Sequence, residues 1–151
     1  GDDSLAKLLK ERSAWDPQWQ APGKTPVQYL DSLDLLDRLI AIHCNFVSAD
    51  LDVMAEKKVS AVFCPNSTKW FGRTEFMPVR ALLDLGVNVA LGTDSRASND
   101  SLNFLDELRM ADELLPDVSR KEILAMATCA GGEALGLQCG KLALGQQADL
   151  I

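Results

Sequence analysis

"VNVALGTDSRASND", residues 87–100, is the stretch on which the fold turns. Val87, Val89, Ala90 and Leu91 form an apolar run that climbs to Gly92-Thr93. The chain then delivers one carboxylate, Asp94, into a loop of small polar residues. A buried strand that presents an acid at its carboxyl end reads this way.

Two earlier runs have the same character. "RLIAIHC" (38–44) ends at His43-Cys44, and "VSAVFCP" (59–65) runs on into Asn66-Ser67. Amphipathic helices are expected between them. Thr25-Pro26-Val27-Gln28 is a capping box with Pro at the first helical position, opening a helix through Tyr29, Leu33 and Leu36. Ser48 is expected to cap a helix bearing Leu51, Met54 and Ala55. Thr74 opens a third with Met77, Leu82 and Leu85, which Gly86 stops. Asn99 or Asp100 caps a fourth with a stripe of Leu102, Leu105, Leu108 and Leu115. After Pro116, Ser119-Arg120-Lys121-Glu122 is a second capping box, starting a helix that lasts to about Gly136.

Apolar strands alternating with such helices imply βαβ units and a parallel sheet. In such folds ligands lie beyond the carboxyl ends of the strands. The only histidine, His43, two of the four cysteines and Asp94 therefore converge on one rim. The flanks differ. Asp2–Arg12 predicts a short helix, and "SAWDPQWQAPGKTP" (13–26) a loop that is either a lid or a plug, anchored by Trp15 and Trp19. "CGKLALGQQADLI" (139–151) reads as two short antiparallel strands turning at Gly145.

Composition bounds the class. The 151 residues suit one domain, and 47% hydrophobic with 25% charged residues is ordinary for a soluble globular chain. A net charge of -7 argues against nucleic acid or an anionic membrane as partner. No apolar run is long enough to span a bilayer and no leader pattern opens the chain. Cys44, Cys64, Cys129 and Cys139 lack Cys-x-x-Cys spacing and read as reduced thiols of a cytoplasmic protein.

With these stretches in view, the chain resembles the carboxyl-terminal part of the amidohydrolase superfamily, in the branch of chlorohydrolases and amino-purine deaminases. The residues that carry the likeness are "IHCNFVSADLDVMAEKKVSAVFCPNS" (42–67), "LLDLGVNVALGTDSRASNDSLNFLDELRMA" (82–111) and "GKLALGQQADLI" (140–151). The resemblance implies an α/β fold: a partial (β/α)8 TIM barrel over 1–137, with strands six to eight, and the start of a small β-sandwich over 138–151. It implies a metal-dependent hydrolase that deaminates or dechlorinates a heteroaromatic ring, a purine nucleoside first among them.

By the same resemblance Asp94 is the strand-eight aspartate, which contacts a divalent metal (zinc, or iron) and takes the proton of the attacking water. His43 is the strand-six histidine that steadies the tetrahedral intermediate. The His-x-His pair, the strand-five histidine and the acid–base glutamate of that pattern have no counterpart here. Other metal ligands are therefore expected upstream. Two further departures are Thr68, where relatives commonly have Asn after Pro-x-Ser, and Ser95, where many deaminases have Gly.

Each assignment has a plain alternative. Asp94 could cap its own turn, and a histidine at a strand end could be structural. Asn66, Ser67, Ser95, Ser98 and Asn99 could hydrogen-bond a small-molecule substrate or serve as turn and cap residues. Cys64 could join His43 and Asp94 on a metal, since a catalytic zinc takes three protein ligands. Cys44 should face away from His43. The runner-up function is a catalytically inactive α/β fragment. Three strands cannot close a barrel, so a homo-oligomer covering the open edges, or a partner holding strands one to five, is expected.

Overall fold

The computed structural model describes residues 4–146, Arg38 by its backbone alone. Its centre is a three-stranded parallel sheet: β1 (Ile40–Ile42), β2 (Ser60–Phe63) and β3 (Val89–Leu91), in the spatial order β1-β2-β3. The register pairs Ile42 with Val62 and Val62 with Ala90. The three expected strands are therefore present, and the α/β reading stands.

Pleating divides the sheet into two unlike faces. Ala61, Phe63, Val89 and Leu91 point into the core, with Phe63 fully buried. Helices cover this side. Phe63, Met54, Met77 and Leu82 are at most 1% exposed, and burying each stabilises the fold by about 1.5–3 kcal/mol. The opposite face carries Ile40, Ile42, Val62 and Ala90. Ile42 on β1 is 57% exposed.

The helices follow the sequence with informative shifts. Helix α1 spans Ser4–Glu11 and α2 spans Pro26–Asp31. Thr25 caps α2, accepting from the Gln28 amide at 3.1 Å. The box is not reciprocal, because the Gln28 side chain donates instead to Asp50 Oδ1 at 2.8 Å. A tertiary partner outcompetes the local one. Helix α2 also stops early, and Leu36–Arg38 forms a 3-10 turn.

Helix α3 (Leu51–Glu56) has Asp50 rather than Ser48 at its cap position. Helix α4 (Pro65–Trp70) was not expected as a helix; Pro65 occupies its first turn, where a missing N–H costs nothing. Helix α5 (Val79–Asp84) starts later than Thr74, since Pro78 disfavours a helical residue before it. Gly86 stops it with φ +76° as expected.

Helix α6 (Phe104–Leu114) is capped by Asn103, not by Asn99 or Asp100. Its fully buried face is Glu107 and Ala111, while Leu102 and Leu105 are each 54% exposed. The leucine stripe is therefore only half right, and an acid takes the core position. Ser119 and Glu122 form the reciprocal capping box of α7 (Arg120–Ala127) as read. The expected single helix breaks at Thr128 and resumes as α8 (Cys129–Ala134). There the Thr128 hydroxyl bonds back to the Leu124 carbonyl at 2.7 Å, a bond that bends helices.

Two peripheral expectations change. Trp15 and Trp19 meet edge to face at 6.0 Å, and line a cleft with Leu5, Ala6 and Leu9 of α1. No rim residue shares that cleft; the pair lies in the loop after α1 and packs beside that helix. Residues 141–146 form bends and a turn closed by the Gln146 amide on the Ala143 carbonyl. They make no strand among the described residues, and Leu142 and Leu144 are exposed. A strand without a paired neighbour has no ladder to stabilise it. The second strand of that reading lies outside the described residues.

Candidate active site

The carboxyl ends of the three strands do converge. The ladder carries His43 one step past β1, where its N–H donates to the Val62 carbonyl at 3.0 Å. The chain then turns sharply, with His43 at φ +70° and Cys44 at +43°. Asp94 leaves β3 with φ +57°. Left-handed backbone at a residue with a Cβ costs of order 1–3 kcal/mol and concentrates at functional sites. Here it aims both side chains at one point. His43 Nε2 lies 3.7 Å from Asp94 Oδ2.

Gly92 lets β3 approach β2 at this level. A Cβ there would stand 2.8 Å from Val62 Cγ1 and 3.4 Å from Cys64 Sγ. The turns beyond the strands then close on the acid. Ser67 Oγ donates to Asp94 Oδ2 at 2.8 Å, and Ser98 Oγ donates to the same oxygen at 2.7 Å. Among the described residues no side chain donates to Oδ1. The Ser98 bond and then the Ser67 bond hold the Asp94 carboxyl below the ordinary carboxylate value, against desolvation; His43 and the Ser95 amide add smaller pulls. Asp94 is thus an ionised acceptor at neutral pH.

The remaining sequence candidates divide. Ser67 and Ser98, expected near substrate, have Asp94 as their partner. Ser95 is exposed and its Oγ accepts from the Ala97 amide at 3.2 Å, a local turn. Asn66 uses its main-chain N–H on Glu107, and its Nδ2 is buried with no protein partner. Asn99 donates to the Thr93 carbonyl at 2.8 Å and to Glu107 Oε1 at 2.5 Å. Glu107 was missed by sequence reasoning; its place in a leucine-rich helix disguised it, and an acid where the helical period demands an apolar residue was the available signal.

Cys64 does not join His43 and Asp94 in a group that could hold a metal ion among the described residues. Its side chain is buried, and burial first, then the charges of Asp94 and Glu107, push the thiol up to about 12. Burial alone pushes Cys44 up to about 11. Among the described residues no group of three His, Cys, Asp or Glu side chains could hold a metal ion. His43 and Asp94 are suitable donors, but two donors do not complete a site that takes three. These residues alone do not fit a resident metal.

A cleft of about 160 Å³ opens beside the acid, lined by His43, Asn45, Ser67, Thr68, Phe71 and Arg73. A much larger groove, about 920 Å³, runs along residues 74–81 and shares only Asn45 with the rim. It holds no convergent acid and histidine, so chemistry rather than volume selects the site. No helix among the described residues is long and apolar enough to cross a membrane.

The chain is similar to known proteins over most of its length. The model of the amidohydrolase family matches residues 18–151. A 5-methylthioadenosine/S-adenosylhomocysteine deaminase of Pyrococcus furiosus is 43% identical over 137 residues, covering 85% of this chain and 32% of that protein. The crystal structure of a zinc-bound adenosine deaminase from Xanthomonas campestris superposes with a TM-score of 0.80 at 33% identity, covering 98% of this chain and 34% of that one. A zinc complex of atrazine chlorohydrolase from Arthrobacter aurescens gives 0.76 at 26% identity, covering 97% and 37%. The chain spans about a third of the length of the curated relatives it matches.

Proposed function

The chain belongs to the amidohydrolase family, and on that premise we propose that it contributes strands six to eight, with their rim, to a metal-dependent hydrolase that deaminates an amino-purine nucleoside. Dechlorination of a heteroaromatic ring is the related activity. The observation that carries the reading is Asp94 itself: left-handed at the end of β3, held through one oxygen by two hydroxyls, and beside His43.

In this reading Asp94 accepts a proton from the attacking water through Oδ1 and passes it to the departing amine. The water oxygen bonds to the ring carbon, the carbon–nitrogen bond breaks, and ammonia leaves. A carboxylate held below its ordinary value is a weak base toward bulk water. A divalent metal, held by Asp94 together with ligands from outside the described residues, would supply the missing acidity, since a bound metal lowers the pKa of water from 15.7 to about 7. Zinc is favoured by the zinc-bound relatives, and iron is the alternative. Asp94 would be the ligand this chain gives, the others coming from outside the described residues. His43 Nε2 would face the developing oxyanion. Ser67 and Ser98 would orient the acid, leaving the exposed Ser95 for substrate among the sequence candidates.

The test is ammonia release from methylthioadenosine, deoxyadenosine and adenosine, and chloride release from a chlorotriazine, by zinc- and iron-loaded full-length protein that carries the remaining metal ligands. Release of ammonia supports the reading. Release from none of them refutes it.

A second reading is favoured by the incomplete donor set and by the exposed Ile40, Ile42 and Phe46. In it the 151 residues by themselves are inactive and self-associate over the open face. Metal below stoichiometry, together with a molar mass that is a multiple of the chain's in light scattering, would support it.

A further inference from the structure

Two carboxylates lie on either side of the rim, and two pairs of adjacent residues join them. Asn66 and Ser67 are neighbours in the first turn of α4; Ser98 and Asn99 are neighbours in the loop between β3 and α6. In each pair one residue grips Glu107 and the other grips Asp94. The Asn66 N–H donates to Glu107 Oε2 at 3.1 Å while Ser67 donates to Asp94 at 2.8 Å. Asn99 Nδ2 donates to Glu107 Oε1 at 2.5 Å while Ser98 donates to Asp94 at 2.7 Å. Asn99 also holds the carbonyl of Thr93, the residue before Asp94.

Glu107 is 0% exposed, and among the described residues no Lys or Arg pairs with it. Burying a carboxylate without a counter-cation is costly and is tolerated when its oxygens are hydrogen-bonded. A residue serving packing alone would be apolar here, as Ala111 is one turn on. The expense falls where two loops must be tied together, and local rules are broken at functional sites more than elsewhere.

We propose that Glu107 is a positioning residue: its two oxygens fix the spacing of the α4 turn and the β3–α6 loop, so that Ser67 and Ser98 converge on one oxygen of Asp94 and leave Oδ1 for the reacting water. The role of Asp94 rests on the function proposed above; the lock on the two loops does not. Removing the lock lets the hydroxyls part and the carboxylate rotate, although Glu107 itself makes no hydrogen bond to Asp94.

The experiment is the crystal structure and the steady-state kinetics of the zinc-loaded protein with Glu107→Gln, beside Asn99→Ala. Gln keeps the volume but turns an NH2 toward one of the two donors. The expected result is that at least one serine–Asp94 contact opens beyond about 3.5 Å. With it, kcat falls about 10–100-fold at little change in KM, as for a small misplacement of a reacting group. A folded Glu107→Gln variant that keeps both serine contacts and full kcat overturns the proposal. So does loss of folding in both variants, which would make Glu107 a prop of the core. If the wild-type protein shows no turnover, the proposed activity fails, and the crystallographic distances alone decide the lock.

Discussion

Replacing Gly92 by alanine tests the geometry that brings the site together. The new Cβ would sit 2.8 Å from Val62 Cγ1, where carbon atoms prefer about 3.5–4.0 Å. Val62 cannot swing aside freely. It is β-branched, with few allowed rotamers, and Ile42 and Ala90 flank it in register. The strands must therefore spread. Overpacking of this kind costs about 1–3 kcal/mol. With a urea m-value of about 2 kcal/mol/M, the unfolding midpoint should fall by about 0.5–1.5 M at constant m. Val62→Ala removes the struck methyl, itself costing about 1 kcal/mol at this half-buried position. The double variant should then be more stable than the two losses predict by about 1 kcal/mol or more. A neutral Gly92→Ala, or strict additivity with Val62→Ala, would refute the close approach of β2 and β3.

Three further outcomes are expected. Glu122 accepts from the Ser119 hydroxyl at 2.6 Å and from Arg80 at 2.8 Å, and the Ser119 bond first, then Arg80, pushes its carboxyl from 4.5 down to about 2. A depressed folded value means that its stabilisation is present above pH 4.5 and lost as pH falls toward 2. The gap in thermal midpoint between wild type and Glu122→Gln should be full at pH 7 and vanish across that window. Cys64, buried with its thiol pushed up to about 12, should be alkylated far more slowly by iodoacetamide at pH 8 than the same residue in urea, as read by peptide mass mapping. His43→Ala should lower kcat more than it weakens substrate binding; an effect confined to KM would move His43 from the reacting centre to the substrate pocket.

The strands were legible as short apolar runs bounded by polar or turn residues, although only β3 is buried throughout and β1 leaves Ile40 and Ile42 exposed. Val89, Ala90 and Leu91 are all buried, and Asp94 follows where an apolar run must end. Gly86 and the Ser119–Glu122 box were legible because their reasons are local: a left-handed stop and a reciprocal cap. The misplaced features had tertiary causes. Gln28 leaves its own helix end for Asp50, and Asn99 leaves the cap position for Glu107 and the Thr93 carbonyl. Ser67 and Ser98 stand 31 positions apart in sequence and meet on one oxygen. Spacing cannot encode that meeting, because a buried acid on a third element produces it.

Asp94 is proposed to be the proton acceptor of a family hydrolase. The most direct test of that role is ammonia release from methylthioadenosine by the zinc-loaded protein, wild type against Asp94→Asn. Turnover in the wild type and a loss of about 10²–10⁴-fold in the variant are expected, with the fold retained. An Asp94→Asn variant that turns over at the wild-type rate would contradict that role.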